Sequence, residues 1–250
     1  MTRDLLFKRN AIRECLRAGR RRPYRLIVAR DADLKDSQDL IDEAKNRGVR
    51  IDDSDKKSVN VLVRGERHQN LVLEVGPYPY VGLDDIFAAA ERAGEAPLIL
   101  LLDLVQDPRN VGAILRTADA MGVHGVIIQE RRGCEITPTV VNTAAGGAEH
   151  LQVAQVPNLA EAMRRLSQRD VWLAGLDLAP DSQPIDRVDL DRPLGLVIGN
   201  EGSGLRRLVR DRCDFLLYLP MYGHVQSLNA AVAASLALYA ARTARPKRGT

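Results

Sequence analysis

The chain has 250 residues, of which 45% are hydrophobic and 28% charged, and it carries a formal net charge of +3. This length and apolar content allow one large core or two small ones, and we expect two domains. Aromatic residues make up only 4% of the chain, so base stacking on an aromatic platform is not expected to dominate binding.

The spacing of the cysteines and histidines supports neither a disulfide framework nor a metal site. Cys15, Cys134 and Cys213 lie far apart without C-x-x-C spacing, and the four histidines show no metal-ligand spacing, so no metal site is predicted. The N-terminus lacks the apolar run of a signal peptide, and no segment approaches the roughly 20 consecutive apolar residues of a membrane span. We therefore expect a cytoplasmic protein without membrane contact.

The N-terminal part of the chain is basic and reads as a small α/β domain. Residues 1–30 hold ten basic and two acidic residues, a net charge of +8, whereas residues 31–76 hold eight and eleven, a net charge of −3. The basic segment suits a phosphate backbone, and solubilising arginines on a solvated helix face explain it equally well. Residues 1–76 are the predicted domain, with strands expected at 25–29, 49–51 and 71–75 and a helix at 36–48. Two prolines and two glycines lie within the next segment, so a linker is predicted over 77–96.

Residues 97–250 predict a parallel sheet covered by helices on both faces. Near-continuous apolar runs alternate with helical patterns, which is typical of buried parallel strands. The runs lie at 98–102, 125–129, 151–156, 171–176, 194–199 and 215–220, and the helical patterns at 110–121, 158–168, 204–212 and 227–242. In such sheets ligands bind beyond the carboxyl ends of the strands.

The first candidate segment is DPRNVGAILRTADAMG, which follows an apolar strand. Asp107 and Asn110 are suited to cap the helix start. Arg116 lies inside the helix among apolar residues, so it must point to solvent, pair with a carboxylate or face a ligand.

The second candidate segment is LGLVIGNEGSGLRRLVRD, a strand followed by a glycine-rich turn. Gly199, Gly202 and Gly204 allow positive φ and close backbone approach to a bound molecule. The spacing is not the dinucleotide fingerprint, and no G-x-x-x-x-G-K-[ST] occurs. Glu201 either caps the following helix or belongs to a site.

The third candidate segment is PMYGHVQSLNA, which runs into the apolar helix AVAASLALYAAR. Such a helix is expected to be buried, and to hold a polar cluster at its start. Ser227 could serve as the helix N-cap, but Asn229 would then stand unexplained, because Asn is a poor helix former. His224 lies within the same stretch, and no catalytic role is predicted for it.

Together these segments closely resemble the three signature motifs of the SpoU, or TrmH-type, 2′-O-ribose RNA methyltransferases of the SPOUT superfamily. The resemblance covers residues 97–243, and the N-terminal 75 residues resemble the L30e-like substrate-binding domain of the 23S ribosomal RNA guanosine methyltransferase branch. It implies an α/β fold with a C-terminal trefoil-knot domain that binds S-adenosylmethionine. By motif position, the cofactor would contact Gly199, Leu219 and Leu228, with Ile198, Asn200 and Met221 nearby and residues 174–176 completing the pocket.

The resemblance also implies catalytic roles. Arg116 would hold a phosphate and stabilise the developing alkoxide, because a guanidinium stays protonated at ordinary pH. Asn110 would position Arg116 or the substrate, and Glu201 would orient the arginine or sit near the methyl donor. Ser227 and Asn229 would fix the nucleotide and the cofactor loop.

The expected substrate is a guanosine ribose in 23S ribosomal RNA, and the expected assembly is a homodimer. A transfer RNA ribose methyltransferase is the main alternative, since the catalytic motifs are shared. A non-catalytic RNA-binding or ribosome-assembly protein with the same fold is a second alternative, against which the intact motif residues argue. A nucleotide-dependent enzyme of another kind would require a phosphate loop that the sequence lacks.

Overall fold

The computed structural model of the protein describes residues 3–30, 34–66 and 68–245. These residues form two compact units. The first unit contains the described residues up to Pro79 together with Ile136–His150, and the second contains Tyr80–Glu135 and the described residues from Leu151 onward. The outer ends of the two predicted domains, 1–2 and 246–250, lie outside the described residues.

The helices and strands follow in chain order. Those of residues 3–79 are β1 (Asp4–Leu6), α1 (Arg9–Ala18), β2 (Pro23–Ala29), α2 (Gln38–Asn46), β3 (Arg50–Ser54), α3 (Lys56–Leu62) and β4 (Leu71–Val75). Next come α4 (Leu83–Ala93), β5 (Leu98–Leu102), α5 (Pro108–Ala120), β6 (Gly125–Gln129), α6 (Pro138–Thr143), β7 (Gln152–Val156) and α7 (Leu159–Ser167). The last are β8 (Trp172–Leu176), β9 (Gln183–Pro184), β10 (Leu194–Ile198), α8 (Arg207–Arg210), β11 (Phe215–Tyr218) and α9 (Ala230–Thr243).

The first unit is a mixed sheet of strand order β1-β4-β2-β3 with helices against it. The segment Ile136–His150 belongs to this unit, although the sequence predicted it within the second domain, residues 97–250. Buried polar contacts explain the difference. The Oδ1 atom of Asn142 accepts hydrogen bonds from the backbone N–H groups of Phe7 and Lys8, both at 3.1 Å. The fully buried Arg21 donates to Glu149 at 3.1 Å, so the segment satisfies polar groups that would otherwise be costly to bury.

The second unit is a parallel sheet of order β7-β6-β5-β10-β8-β11-β9. The predicted α/β class is therefore confirmed, and the six apolar runs lie within one or two residues of β5, β6, β7, β8, β10 and β11. In the described part of the chain, no helix has the length and apolar character needed to cross a membrane.

The segment predicted as a linker, 77–96, contains helix α4. Asp85 accepts a hydrogen bond from the N–H of Gly82 at 2.8 Å at the helix start. Ile86 is buried over strand β6, where a Cβ on Gly125 would lie 2.4 Å from its side chain. The helix is thus packed into the second unit, because its apolar face covers the sheet.

Candidate active site

A cleft of about 550 Å³ opens at the carboxyl ends of strands β8, β10 and β11 and at the start of α9. This is the position expected for a ligand site in a parallel sheet. All the residues predicted to contact a cofactor line this cleft: Ile198, Gly199, Asn200, Leu219, Met221 and Leu228. Of the predicted catalytic residues, Glu201 and Ser227 line it as well.

The turn after β10 brings backbone very close to backbone. The N–H of Asn200 donates to the carbonyl of Gly204 at 3.1 Å, and the N–H of Gly204 donates back at 2.9 Å. A Cβ on residue 199 would lie 2.3 Å from the carbonyl carbon of Gly204. Gly199 is therefore required by the packing of the turn itself, and Gly204 by its positive φ of 64°.

The side chain of Asn200 holds this turn in place. Its Nδ2 atom donates to the carbonyl of Leu104 at 2.9 Å, and its Oδ1 atom accepts from the N–H of Gly202 at 3.0 Å. The hydrogen-bonding groups of Asn200 thus serve the loop. Asn200 therefore shapes the cleft by fixing the backbone of the turn at Gly202.

Three predicted catalytic residues, one from each candidate segment, meet in a polar cluster. Asn110 donates a short hydrogen bond from Nδ2 to Oε1 of Glu201. Asn229 donates from Nδ2 to the same carboxylate oxygen and to Oδ1 of Asn110, both at 3.1 Å. Both donors are neutral amides, so the carboxylate of Glu201 is hydrogen-bonded here without an opposite charge beside it.

Asn229 also begins helix α9. Its Oδ1 atom accepts from the N–H of Ala231 at 2.9 Å and from Val232 at 3.4 Å. The N-cap is therefore Asn229 rather than Ser227, which explains why an asparagine stands before this helix. Likewise Asp107 caps α5 by accepting from the N–H of Arg109 at 3.0 Å, whereas Asn110 lies inside the helix.

We expect Asn229→Ala to lower the free energy of unfolding by about 1 kcal/mol, because the α9 cap is lost. Asn229→Ser keeps a capping oxygen but lacks the amide that donates to Glu201, so it should regain most of this stability without restoring the function of the polar cluster. Chemical denaturation and turnover assays on both variants test this. Equal stability of Asn229→Ala and the unaltered chain would contradict the capping role.

Arg116 stands apart from the polar cluster. It is exposed on α5, about 9 Å along the helix axis from Asn110, and makes no hydrogen bond or ion pair with the described residues. The next residue, Thr117, shares a hydrogen bond of 2.9 Å with Ser235 and so ties α5 to α9. Of the three possibilities for Arg116, pairing with a carboxylate is not seen within the described chain, and its guanidinium is open to an added ligand.

Part of the cleft wall consists of residues that no sequence motif indicated. Asp177, Leu178, Tyr218 and Gln226 line it and were not singled out. The only sequence signal for Asp177 was its position directly after a strand, and an aspartate at such a position is common. The expected turn at 174–176 is instead the end of strand β8, and of these residues only Leu176 reaches the cleft.

Part of the charge of the basic N-terminal segment is offset by ion pairs within the first unit. Its side chains that form ion pairs with carboxylates are Arg3, Arg9, Arg13, Arg17, Arg21 and Arg25. The sequence charge of this segment therefore overstates the charge that is available to a phosphate backbone.

The clustering and burial of the described side chains bear on metal binding and on thiolate chemistry. In residues 3–30, 34–66 and 68–245, no three His, Cys, Asp or Glu side chains are grouped as metal ligands. Burial raises the pKa of Cys15 and of Cys213 to about 12 and that of Cys134 to about 11. These thiols stay protonated at neutral pH and are poor nucleophiles.

Two family models match most of this chain. Residues 97–239 match the model of the SpoU rRNA Methylase family, and residues 5–81 match that of the RNA 2′-O ribose methyltransferase substrate-binding domain. A putative TrmH family tRNA/rRNA methyltransferase of Bacillus subtilis is 42% identical over 236 residues, 94% of each chain. One from Staphylococcus aureus is 36% identical over 240 residues, 96% of this chain and 95% of the relative.

A solved structure shares the fold. The SpoU methyltransferase AviRb of Streptomyces viridochromogenes, in complex with the cofactor AdoMet, superposes with a TM-score of 0.79 at 27% identity. The alignment covers 96% of this chain and 90% of that one.

Proposed function

The chain belongs to the SpoU rRNA methylase family, and on that premise we propose that it methylates a ribose 2′-hydroxyl of a guanosine in 23S ribosomal RNA. As a member of this family it is an S-adenosylmethionine-dependent RNA methyltransferase with a mixed α/β fold. The hydrogen-bonded cluster of Asn110, Glu201 and Asn229 beside the cleft supports this proposal. The match to a 2′-O ribose substrate-binding domain supports the ribose as the target.

The cleft fits an adenosyl cofactor. Its volume is in the range of small-molecule sites. Ile198, Leu219 and Leu228 provide apolar walls. Gly199 has no side chain at the point where the turn after β10 packs most closely, so its backbone is accessible from the cleft. When bound, S-adenosylmethionine supplies an electrophilic methyl carbon on a positively charged sulfur.

Arg116 acts on the RNA. Its guanidinium remains protonated and can pair with a phosphate in a bidentate manner, which aligns the adjacent ribose and stabilises negative charge on the 2′-oxygen. Asn110 and Asn229 hold Glu201 at the edge of the cleft, and Ser227, which has no hydrogen-bond partner among the described residues, is free to bind the nucleotide.

A homodimer is part of the proposal. Val232, Leu236 and Tyr239 lie on one face of α9 at i, i+4 and i+7 spacing, and between 46% and 60% of each is exposed in the protomer. An exposed apolar stripe on a helix that also frames the site is suited to a partner subunit.

Leu236→Glu should therefore convert the dimer to a monomer, because it places a charge in a desolvated interface. Light scattering at micromolar concentration measures this. Leu208→Glu is the matched control, since Leu208 is 57% exposed but lies on α8. A monomeric unaltered chain would count against the dimer.

The activity is tested by methyl transfer from labelled S-adenosylmethionine to ribosomal and transfer RNA of a strain that lacks this protein. Incorporation into 23S ribosomal RNA at one guanosine is the expected result. Incorporation into transfer RNA alone would instead identify the protein as a transfer RNA ribose methyltransferase. Cofactor binding without transfer to naked RNA or to ribosomal particles would point to the non-catalytic RNA-binding role.

A further inference from the structure

The cofactor cleft is acidic. Among the described residues that line it, Asp177 and Glu201 are carboxylates, and no lysine, arginine or histidine is present. The rest of the lining is mostly apolar, and charges interact more strongly across such a surface than in bulk water. The cleft therefore favours a cationic ligand over a neutral one of the same shape.

Asp177 is positioned at this cleft by strand β8. Its N–H donates to the carbonyl of Leu217 at 2.9 Å, and its side chain is only 13% exposed. Nη2 of Arg210 lies 2.5 Å from Oδ2. Oδ1 lies beside Gly204, where a Cβ would be 3.5 Å from it, and no described residue donates a hydrogen bond to it. One oxygen is thus held by Arg210, and the other faces the turn that lines the cleft.

Glu201 supplies a charge that no cation balances. Its hydrogen bonds come from the amides of Asn110 and Asn229, and it forms no ion pair with the described residues. Arg210 offsets part of the Asp177 charge from outside the lining, and its own side chain is 41% exposed, so solvent screens that effect. The charged side chains that line the cleft are therefore both carboxylates, and Glu201 has no cationic partner among the described residues.

The two forms of the cofactor differ in charge at one atom. S-adenosylmethionine carries a sulfonium, and S-adenosylhomocysteine, which remains after the methyl group has left, has a neutral thioether. We infer that Asp177 and Glu201 select the charged methyl donor over the neutral product and so favour product release. This inference rests on the proposed cofactor chemistry and adds Asp177 as a residue that determines ligand selectivity.

Equilibrium binding of the two ligands to the full chain tests this, and the readout is the ratio of the two Kd values for each protein. Asp177→Asn and Glu201→Gln keep side-chain size and remove charge. Each should lower the preference for S-adenosylmethionine by about threefold to tenfold, as expected for single partly screened charges, with little change in S-adenosylhomocysteine affinity. Arg210→Gln should change the ratio in the opposite direction, because it removes the offsetting cation.

The ratio is insensitive to a partly unfolded sample, since both ligands are measured on the same preparation. Unchanged ratios in Asp177→Asn and Glu201→Gln, or equal losses of affinity for both ligands, would overturn the charge selection while leaving the methyltransferase assignment intact. An unaltered chain that binds neither ligand would overturn both. A lower preference in the two carboxylate variants with a higher one in Arg210→Gln would support the inference.

Discussion

Replacing Arg116 with alanine is expected to lower the kcat of methyl transfer about 100- to 1,000-fold, the usual loss when one group that stabilises transition-state charge is removed. Arg116 is exposed on α5 and has no partner in the described chain, so its loss should leave folding unchanged. It lines no part of the cofactor cleft, and the Kd for S-adenosylmethionine should change little. Single-turnover transfer and equilibrium binding on the same preparation measure the two effects.

The matched control is Arg92→Ala, which removes an exposed arginine at the end of another helix of the same unit. It should retain kcat within about threefold, as is usual for surface changes. Arg116→Lys keeps the charge but loses the bidentate geometry, and an intermediate kcat is expected. Full turnover by Arg116→Ala would remove this residue from the mechanism.

Gly199→Ala is expected to abolish measurable S-adenosylmethionine binding and to lower the free energy of unfolding by about 2 to 3 kcal/mol, a cost typical of overpacking. The new methyl group would meet the backbone of Gly204 at 2.3 Å. Backbone cannot move aside as a flexible side chain can, so the turn that lines the cleft must be displaced. Calorimetric titration and thermal denaturation check these two results.

Gly202→Ala is the control in the same turn. A Cβ there would lie 3.7 Å from Oδ1 of Asn200, an ordinary contact, and Gly202 does not have a positive φ. It should bind the cofactor as the unaltered chain does. Normal binding by Gly199→Ala would show that the turn adapts and that its close approach does not shape the cleft.

The strands of the second unit could be predicted from the sequence because buried parallel strands are continuous apolar runs. Leu98–Leu102 and Gly125–Gln129 are buried along their whole length. The order of the strands could not be predicted, since it depends on which backbones pair and not on local composition. Helix α4 was missed for a different reason: the prolines and glycines before it indicated a linker, although Ile86 and its neighbours form an apolar face.

The position of Ile136–His150 in the first unit depends on long-range polar contacts. Asn142 and Glu149 are almost completely buried, although such residues are usually exposed. No periodicity in the sequence indicates that a polar side chain will find its partner more than 100 residues away, as Asn142 does at Phe7.

The sequence indicated the residues of the site but not the hydrogen bonds between them. The three segments, and Asn110, Glu201 and Asn229 within them, could be singled out because they follow strand ends or stand out in apolar helices. Their mutual hydrogen bonds, and the cap that Asn229 forms, required the structure. Asp177 gave no signal beyond its place after a strand, because it belongs to no extended pattern.

The identity of the methylated atom decides whether the ribose 2′-oxygen is the nucleophile. RNA labelled by the full chain with S-adenosylmethionine is digested to nucleosides, and mass spectrometry separates ribose methylation from base methylation. We expect a 2′-O-methylated guanosine from the unaltered chain and the loss of this product in Arg116→Ala. A methyl group on a base would contradict the proposed attack by the ribose 2′-oxygen.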